Sequence, residues 1–109
     1  MSPRLATRVW VDAYLTRLRI EAIPAFIVAR GDPTAGAVLV KLNPLDGTAR
    51  AFQRITAMDN RRPWDVIADG AEADVDAVLS SQRRFDPDIW VIEVEDRAGR
   101  HMLDEPGLD

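Results

Sequence analysis

Between Thr7 and Ala22 the apolar residues recur at helical spacing. Val11, Tyr14, Leu15, Leu18 and Ala22 fall at i, i+3, i+4, i+7 and i+11, and Arg8, Asp12, Thr16 and Arg19 gather opposite them. Thr7 is the expected N-cap, and Pro24 ends the helix because the residue before a proline avoids the α region. The pattern then changes. Ala25–Arg30 and Ala37–Leu42 read as strands joined through Gly31–Gly36, a loop with two glycines and a proline, which predicts a hairpin. Asn43–Gly47 is a second turn. Ala49–Ala57 reads as a third strand, in which the odd spacing of Phe52 and Ile55 suggests a bulge or an edge. Met58–Pro63 is polar and turn-like, and Trp64–Ile67 adds a short extended piece.

Asp69-Gly70-Ala71-Glu72 has the form of a capping box. A second helix follows to about Arg84, with Val75, Val78, Leu79 and Gln82 on one face, Phe85 closing it, and Arg83 and Arg84 at the negative end of the helix dipole. Asp86-Pro87-Asp88 stops it. Ile89–Glu95 alternates: Trp90, Ile92 and Val94 point one way, Ile89, Val91, Glu93 and Glu95 the other. The order α-β-β-β-α-β predicts an α+β two-layer sandwich: a mostly antiparallel sheet of about four strands with two helices on one face. Residues 1–103 form one domain and 104–109 a flexible acidic tail.

With 47% hydrophobic and 29% charged residues, the chain is neither disordered nor membrane-spanning by composition. It has no cysteine, so disulfides and thiolate metal sites are excluded. The N-terminus lacks a signal-peptide pattern, which makes the cytoplasm the expected location. The net charge of −4 is unevenly placed. Residues 1–30 carry five arginines against Asp12 and Glu21, whereas residues 71–109 carry four arginines against eleven carboxylates. A basic head and an acidic tail can attract each other within one chain or between two, which is compatible with a homodimer, but a solvated surface with a frayed acidic end is the simpler reading.

Catalytic signatures are absent. His101 is the single histidine, no serine lies in a nucleophile elbow, and the Gly31–Gly36 loop is not followed by the Lys-Ser/Thr of a phosphate-binding loop. Arg30-Gly31-Asp32 spells an adhesion tripeptide but reads as a turn. The expected function is that of a protein-interaction or ligand-binding module with no cofactor. Its site is expected on two loops carrying Arg30 and Asp32, and Arg83, Arg84, Asp86 and Asp88, with Arg30 pairing to Asp86 or Asp88 across a polar cleft. Two alternatives remain. Glu93 and Glu95 share a strand face and can converge on Mg²⁺ or Ca²⁺, as in a small metal-dependent hydrolase. Arg50, Arg54, Arg61 and Arg62 lie near Phe52 and Trp64 and can hold single-stranded nucleic acid weakly, against the acidic overall balance.

Several segments carry a resemblance. Val9-Trp10-Val11 with Ala13-Tyr14-Leu15, then Arg30-Gly31-Asp32 with Ala35–Lys41, and above all Arg84–Asp96, make the chain similar to the short alphaproteobacterial proteins grouped as domain of unknown function 1491. The likeness runs from about Leu5 to Leu103. It implies a bacterial, intracellular, single-domain protein, and no activity, cofactor or catalytic residue that could be carried over.

Overall fold

A computed structural model describes residues 5–54, 63–106 and 108. Along the chain run α1 (Thr7–Ile20), β1 (Ala25–Ala29), β2 (Val38–Asn43), β3 (Thr48–Arg54), β4 (Trp64–Ala71), α2 (Glu72–Phe85) and β5 (Trp90–Glu95). The strands form one sheet in the order β1-β5-β2-β3-β4. Contacts β1–β5, β2–β3 and β3–β4 are antiparallel, and β2–β5 is parallel. The fold is therefore α+β with an open mixed sheet of five strands.

The expected hairpin of the first two strands does not form. β5, last in sequence, enters between β1 and β2. Local pattern made the two strands look like partners, but a strand apolar on both faces belongs in the middle of a sheet. The fourth strand is also longer than expected: Asp69, Gly70 and Ala71 belong to it, not to a helix cap. Ala71 is the N-cap of α2 and has no side-chain acceptor to make a capping bond, and the Glu72 carboxylate accepts from Lys41 instead of completing a box. Similarly, Ala6 caps α1, and the Thr7 hydroxyl donates instead to the Gly36 carbonyl at 2.7 Å. The register between β3 and β4 shifts where Ala51 pairs with Ala68 and Phe52 with Val66, so the extra residue is Ile67 of β4, while β3 runs in regular register against β2. Ile55 and Met58–Arg62 lie outside the described residues.

The two helices do not share a face. Trp10, Val11, Tyr14 and Leu18 of α1 pack against Val40, Leu42, Phe52, Trp90, Ile92 and Val94. Val75 and Leu79 of α2 pack on the other side, against Leu39, Ala49, Ala51, Ile89 and Val91. Strand alternation divides neighbouring residues between two cores, giving three layers rather than two. Leu15 and Val78 are half-buried, and Phe85, expected to close the α2 face, is 88% exposed.

The C-terminal segment closes the α1 face. Leu103 and Leu108 are buried there, Trp10 Nε1 donates to the Leu108 carbonyl at 2.8 Å, and Tyr14 donates its hydroxyl to the His101 carbonyl at 2.7 Å. The His101 ring lies against Phe52, and its Nδ1 accepts the Leu103 N–H at 3.0 Å. That acceptor role requires a neutral ring. Burial pushes the His101 pKa below its usual value near 6.5; Asp104 opposes the shift and Arg50 adds to it.

The loop from β1 to β2 must pass over the start of β5. It does so at close quarters: a Cβ on Gly31 or Gly36 would land against the Asp88 carbonyl. Asp32 N–H donates to that carbonyl at 2.9 Å, and Trp90 Nε1 donates to the Asp32 carbonyl at 2.8 Å.

Two outcomes follow. Gly31→Ala or Gly36→Ala is expected to lower the free energy of unfolding by about 1–3 kcal/mol, as overpacking does, read by urea denaturation. His101, depressed in the fold, contributes stability that is full above pH ~6.5 and falls as the pH drops below it toward the folded pKa. The midpoint of thermal unfolding should decline across that window, and the His101→Gln variant should show a shallower decline.

Candidate functional site

The two loops expected to carry the site do meet. Besides the Asp32–Asp88 backbone bond, the Arg83 guanidinium donates to the Arg30 carbonyl at 3.0 Å and to the Pro87 carbonyl at 2.8 Å, tying helix end to both loops. The expected pairing of charges is absent. Arg30 does not reach Asp86 or Asp88; its guanidinium lies over the Trp90 ring, 5.9 Å from the centroid. The Asp32 carboxylate accepts Ala35 N–H at 2.7 Å, and the Asp86 carboxylate accepts Asp88 N–H at 3.0 Å, so each braces its own turn. The loops are joined by backbone and one arginine, not by ion pairs across a cleft.

A second constellation lies under α2. Lys41, on the α2-facing side of β2, is buried, with 5% of its side chain exposed. Its ammonium meets Glu72 and Asp76 at 2.7 Å each and Glu93 at 3.2 Å. Asn43 Nδ2 bridges Glu72 at 3.1 Å and Glu93 at 3.2 Å. Glu72 and Asp76 stand one helical turn apart and Glu93 comes from β5, so one ammonium fastens helix to sheet. Burial alone would lower the Lys41 pKa. Its hydrogen bonds to Asp76, Glu72 and Glu93 outweigh burial and raise it well above the usual lysine range. The contribution is full below the unfolded value of 10.5 and is lost only as pH rises through the higher folded pKa, so the group stays charged at neutral pH.

Beside this cluster an open groove of about 500 Å³ runs between α2 and the β1–β5 pair. Val28, Ala29, Leu79 and Val91 form its apolar floor. Lys41, Asp76 and Glu93 stand at one end, with Ser80, Arg83 and Arg84 toward the other. Arg84 has no hydrogen-bond or ion-pair partner among the described residues.

The remaining expected residues are dispersed. Both Glu93 carboxylate oxygens are engaged, one by Lys41 and one by Asn43, while Glu95 makes no ion pair among the described residues. Among the described residues no three acidic or histidine side chains are grouped to hold a metal ion. Arg50 pairs across strands with Asp69 at 3.2 Å. The Arg54 guanidinium lies against both Trp10 and Trp64, 5.2 and 4.8 Å from their ring centroids, and donates to the Leu108 carbonyl. Arg61 and Arg62 lie outside the described residues. No helix among the described residues is long and apolar enough to cross a membrane.

The Lys41→Met variant should lose about 3 kcal/mol of unfolding free energy, because the carboxylates are left facing one another without their cation. Partial exposure of Glu72 and Asp76 sets the value at the lower end for a broken buried pair. Urea unfolding checks it.

Comparison with curated proteins finds no match. Solved structures do match. A crystal structure of a DUF1491 family protein from Caulobacter crescentus CB15 superposes with a TM-score of 0.86 at 44% identity, covering 94% of this chain and 98% of that one. An NMR structure of a DUF1491 family protein from the same organism gives 0.83 at 43% identity, covering 96% and 97%. The solution structure of protein Atu0922 from A. tumefaciens gives 0.72 at 26% identity, covering 85% and 86%. The model of the family described as "Protein of unknown function (DUF1491)" matches residues 5–104, and the chain belongs to that family.

Proposed function

We propose that the protein is a binding module that takes a ligand or partner segment along the groove between α2 and the β1–β5 pair. The groove's composition carries this reading. An apolar floor favours an aliphatic or aromatic portion, because its burial releases water. At one end the Lys41 charge is already answered by three carboxylates. At the other end the Arg84 guanidinium has no partner among the described residues. A guanidinium in that position recognises a carboxylate through paired, charge-assisted hydrogen bonds. The ligand class is therefore an apolar body bearing an anionic group, whether a small carboxylate or an acidic peptide segment. Arg30, Asp32, Asp86 and Asp88 would act indirectly, by holding the loops that set the position of Arg83.

The test is an NMR titration of isotope-labelled protein with short aliphatic carboxylates and acidic peptides. Amide shifts should concentrate at Val28, Leu79, Ser80 and Val91. Arg84→Glu should weaken binding by ~10-fold or more, the worth of a charge-assisted bond, while leaving the thermal midpoint nearly unchanged. Shifts scattered over the α1 face, or equal affinity in the variant, would refute this reading.

A further inference from the structure

The two edges of the sheet are unlike. β4 carries Asp65, Asp69 and Gly70, residues that discourage another strand from pairing there. β1 reads Ala-Phe-Ile-Val-Ala, with no charge and no proline, and is hydrogen-bonded on one side only. Phe26 is 52% and Val28 59% exposed. Grooves border this strand on both faces: the one along α2, and one of about 400 Å³ lined by Leu15, Arg19 and the Ala22–Ala25 turn.

The hydrogen-bond register identifies what this edge can accept. The Pro24 carbonyl accepts Glu95 N–H, and Phe26 is level with Glu93. Antiparallel bonding alternates, so Phe26 also turns its N–H and C=O toward β5, whereas Ala25 and Ile27 turn theirs outward. Beyond Ile27 a bulge at Val28 resets the alternation. A second copy of the chain fits this short free edge. With a two-fold axis at Phe26, Ala25 of each copy bonds reciprocally with Ile27 of the other. An axis at Ala25 fails, because Ile23 N–H is already spent on the Leu18 carbonyl. An axis at Ile27 would need Ala29, which the bulge turns back to β5 opposite Val91.

We infer that the protein forms a two-fold dimer by antiparallel pairing of β1 with β1 of a second copy, centred on Phe26. The two exposed Phe26 rings then meet as a non-hydrogen-bonded cross-strand pair, the arrangement that brings side chains closest. Val28 of each copy comes opposite Pro24 of the other. The same axis sets the Arg30 end of each strand beside the Glu21–Ala22 turn of its neighbour, opposite charges at both ends. Since the α2 faces fall on the same side of the joined sheet, the two α2 grooves open onto one another across the axis. The dimer is independent of what the groove binds.

The chain has no cysteine, so Phe26→Cys supplies a single thiol at the axis. Residues facing each other in a non-hydrogen-bonded pair have the Cα separation of a disulfide. Under mild oxidation this variant should convert to a covalent dimer far faster than Val66→Cys, which places a thiol on the opposite edge strand. Sedimentation of the unmodified chain over a concentration series should show a monomer–dimer equilibrium, and Phe26→Lys should abolish it with its thermal midpoint retained. A chain that stays monomeric at its highest attainable concentration overturns the inference, and so does a dimer that survives Phe26→Lys. Equal cross-linking at residues 26 and 66 would do the same. Capture of an unrelated strand or peptide by a chain that remains monomeric would assign the edge to another occupant and count equally against it.

Discussion

The position of β5 governs this fold. Because β5 lies between β1 and β2, the loop joining those two strands has to cross the start of β5, and the crossing leaves no room for a side chain at Gly31 or Gly36. The same crossing satisfies polar groups that would otherwise be stranded. The Asp88 carbonyl receives Asp32 N–H, Trp90 N–H goes to the Ala37 carbonyl, and the Trp90 indole reaches the Asp32 carbonyl. A buried backbone group left unpaired costs as much as a lost hydrogen bond, so the loop is as much a part of the core as the strand beneath it. Arg83 extends the arrangement to the end of α2, which is why the loops expected to bind are found together although they are not ion-paired to each other.

Insertion of β5 also makes β2 and β5 interior strands with a layer on each face. The α1 face is assembled almost entirely from apolar side chains and aromatic rings, with Trp10 stacked on Tyr14 at 5.0 Å. The α2 face is mixed. Its apolar part is small, and Lys41 with its three carboxylates and Asn43 takes the place that larger hydrophobic residues occupy on the other side. A buried cation of this kind adds little net stability over a hydrophobic pair, but its directional bonds restrict how α2 can sit on the sheet. The register of that helix, and with it the shape of the groove, rests on Lys41.

Much of this was legible from residue spacing. Both helices and the alternation of Trp90, Ile92 and Val94 against Ile89 and Val91 follow from local periodicity, which the backbone geometry imposes residue by residue. Strand order is not a local property. Ala25–Arg30 and Ala37–Leu42 satisfied every requirement of a hairpin, and only the pairing energy of a strand fifty residues later decides otherwise. A signal did exist: Val38–Leu42 and Ile89–Val94 are apolar on both faces, the mark of strands covered from both sides, and that pattern was incompatible with helices on one face. The Lys41 cluster was similarly announced by a lone lysine inside Val-Leu-Val-Lys-Leu with acids one turn apart at Glu72 and Asp76. Reading Glu72 as half of a capping box spent it on the wrong partner.

The chain treats the two faces of its sheet differently, and that difference bears on where function resides. On the α1 side it returns after β5 and closes the surface. Leu103 and Leu108 fill the remaining apolar space, and the carbonyls of His101 and Leu108 accept the hydroxyl of Tyr14 and the indole N–H of Trp10. Trp10, Val11, Tyr14 and Leu18 are thereby covered and the polar groups of Trp10 and Tyr14 satisfied, so the open apolar surface on that side is confined to the groove beside Leu15 and the Ala22–Ala25 turn. On the α2 side no segment of the described chain returns. α2 crosses toward β3 and β4, leaving Val28 and Val91 on the floor of the groove beside β1. An apolar floor kept open by a helix that is pinned through hydrogen bonds, next to loops that cannot relax because they clasp a strand, is pre-organised surface. Binding to it forfeits less ordering entropy than binding to a mobile segment, and this is the physical ground for proposing the binding site on the α2 face.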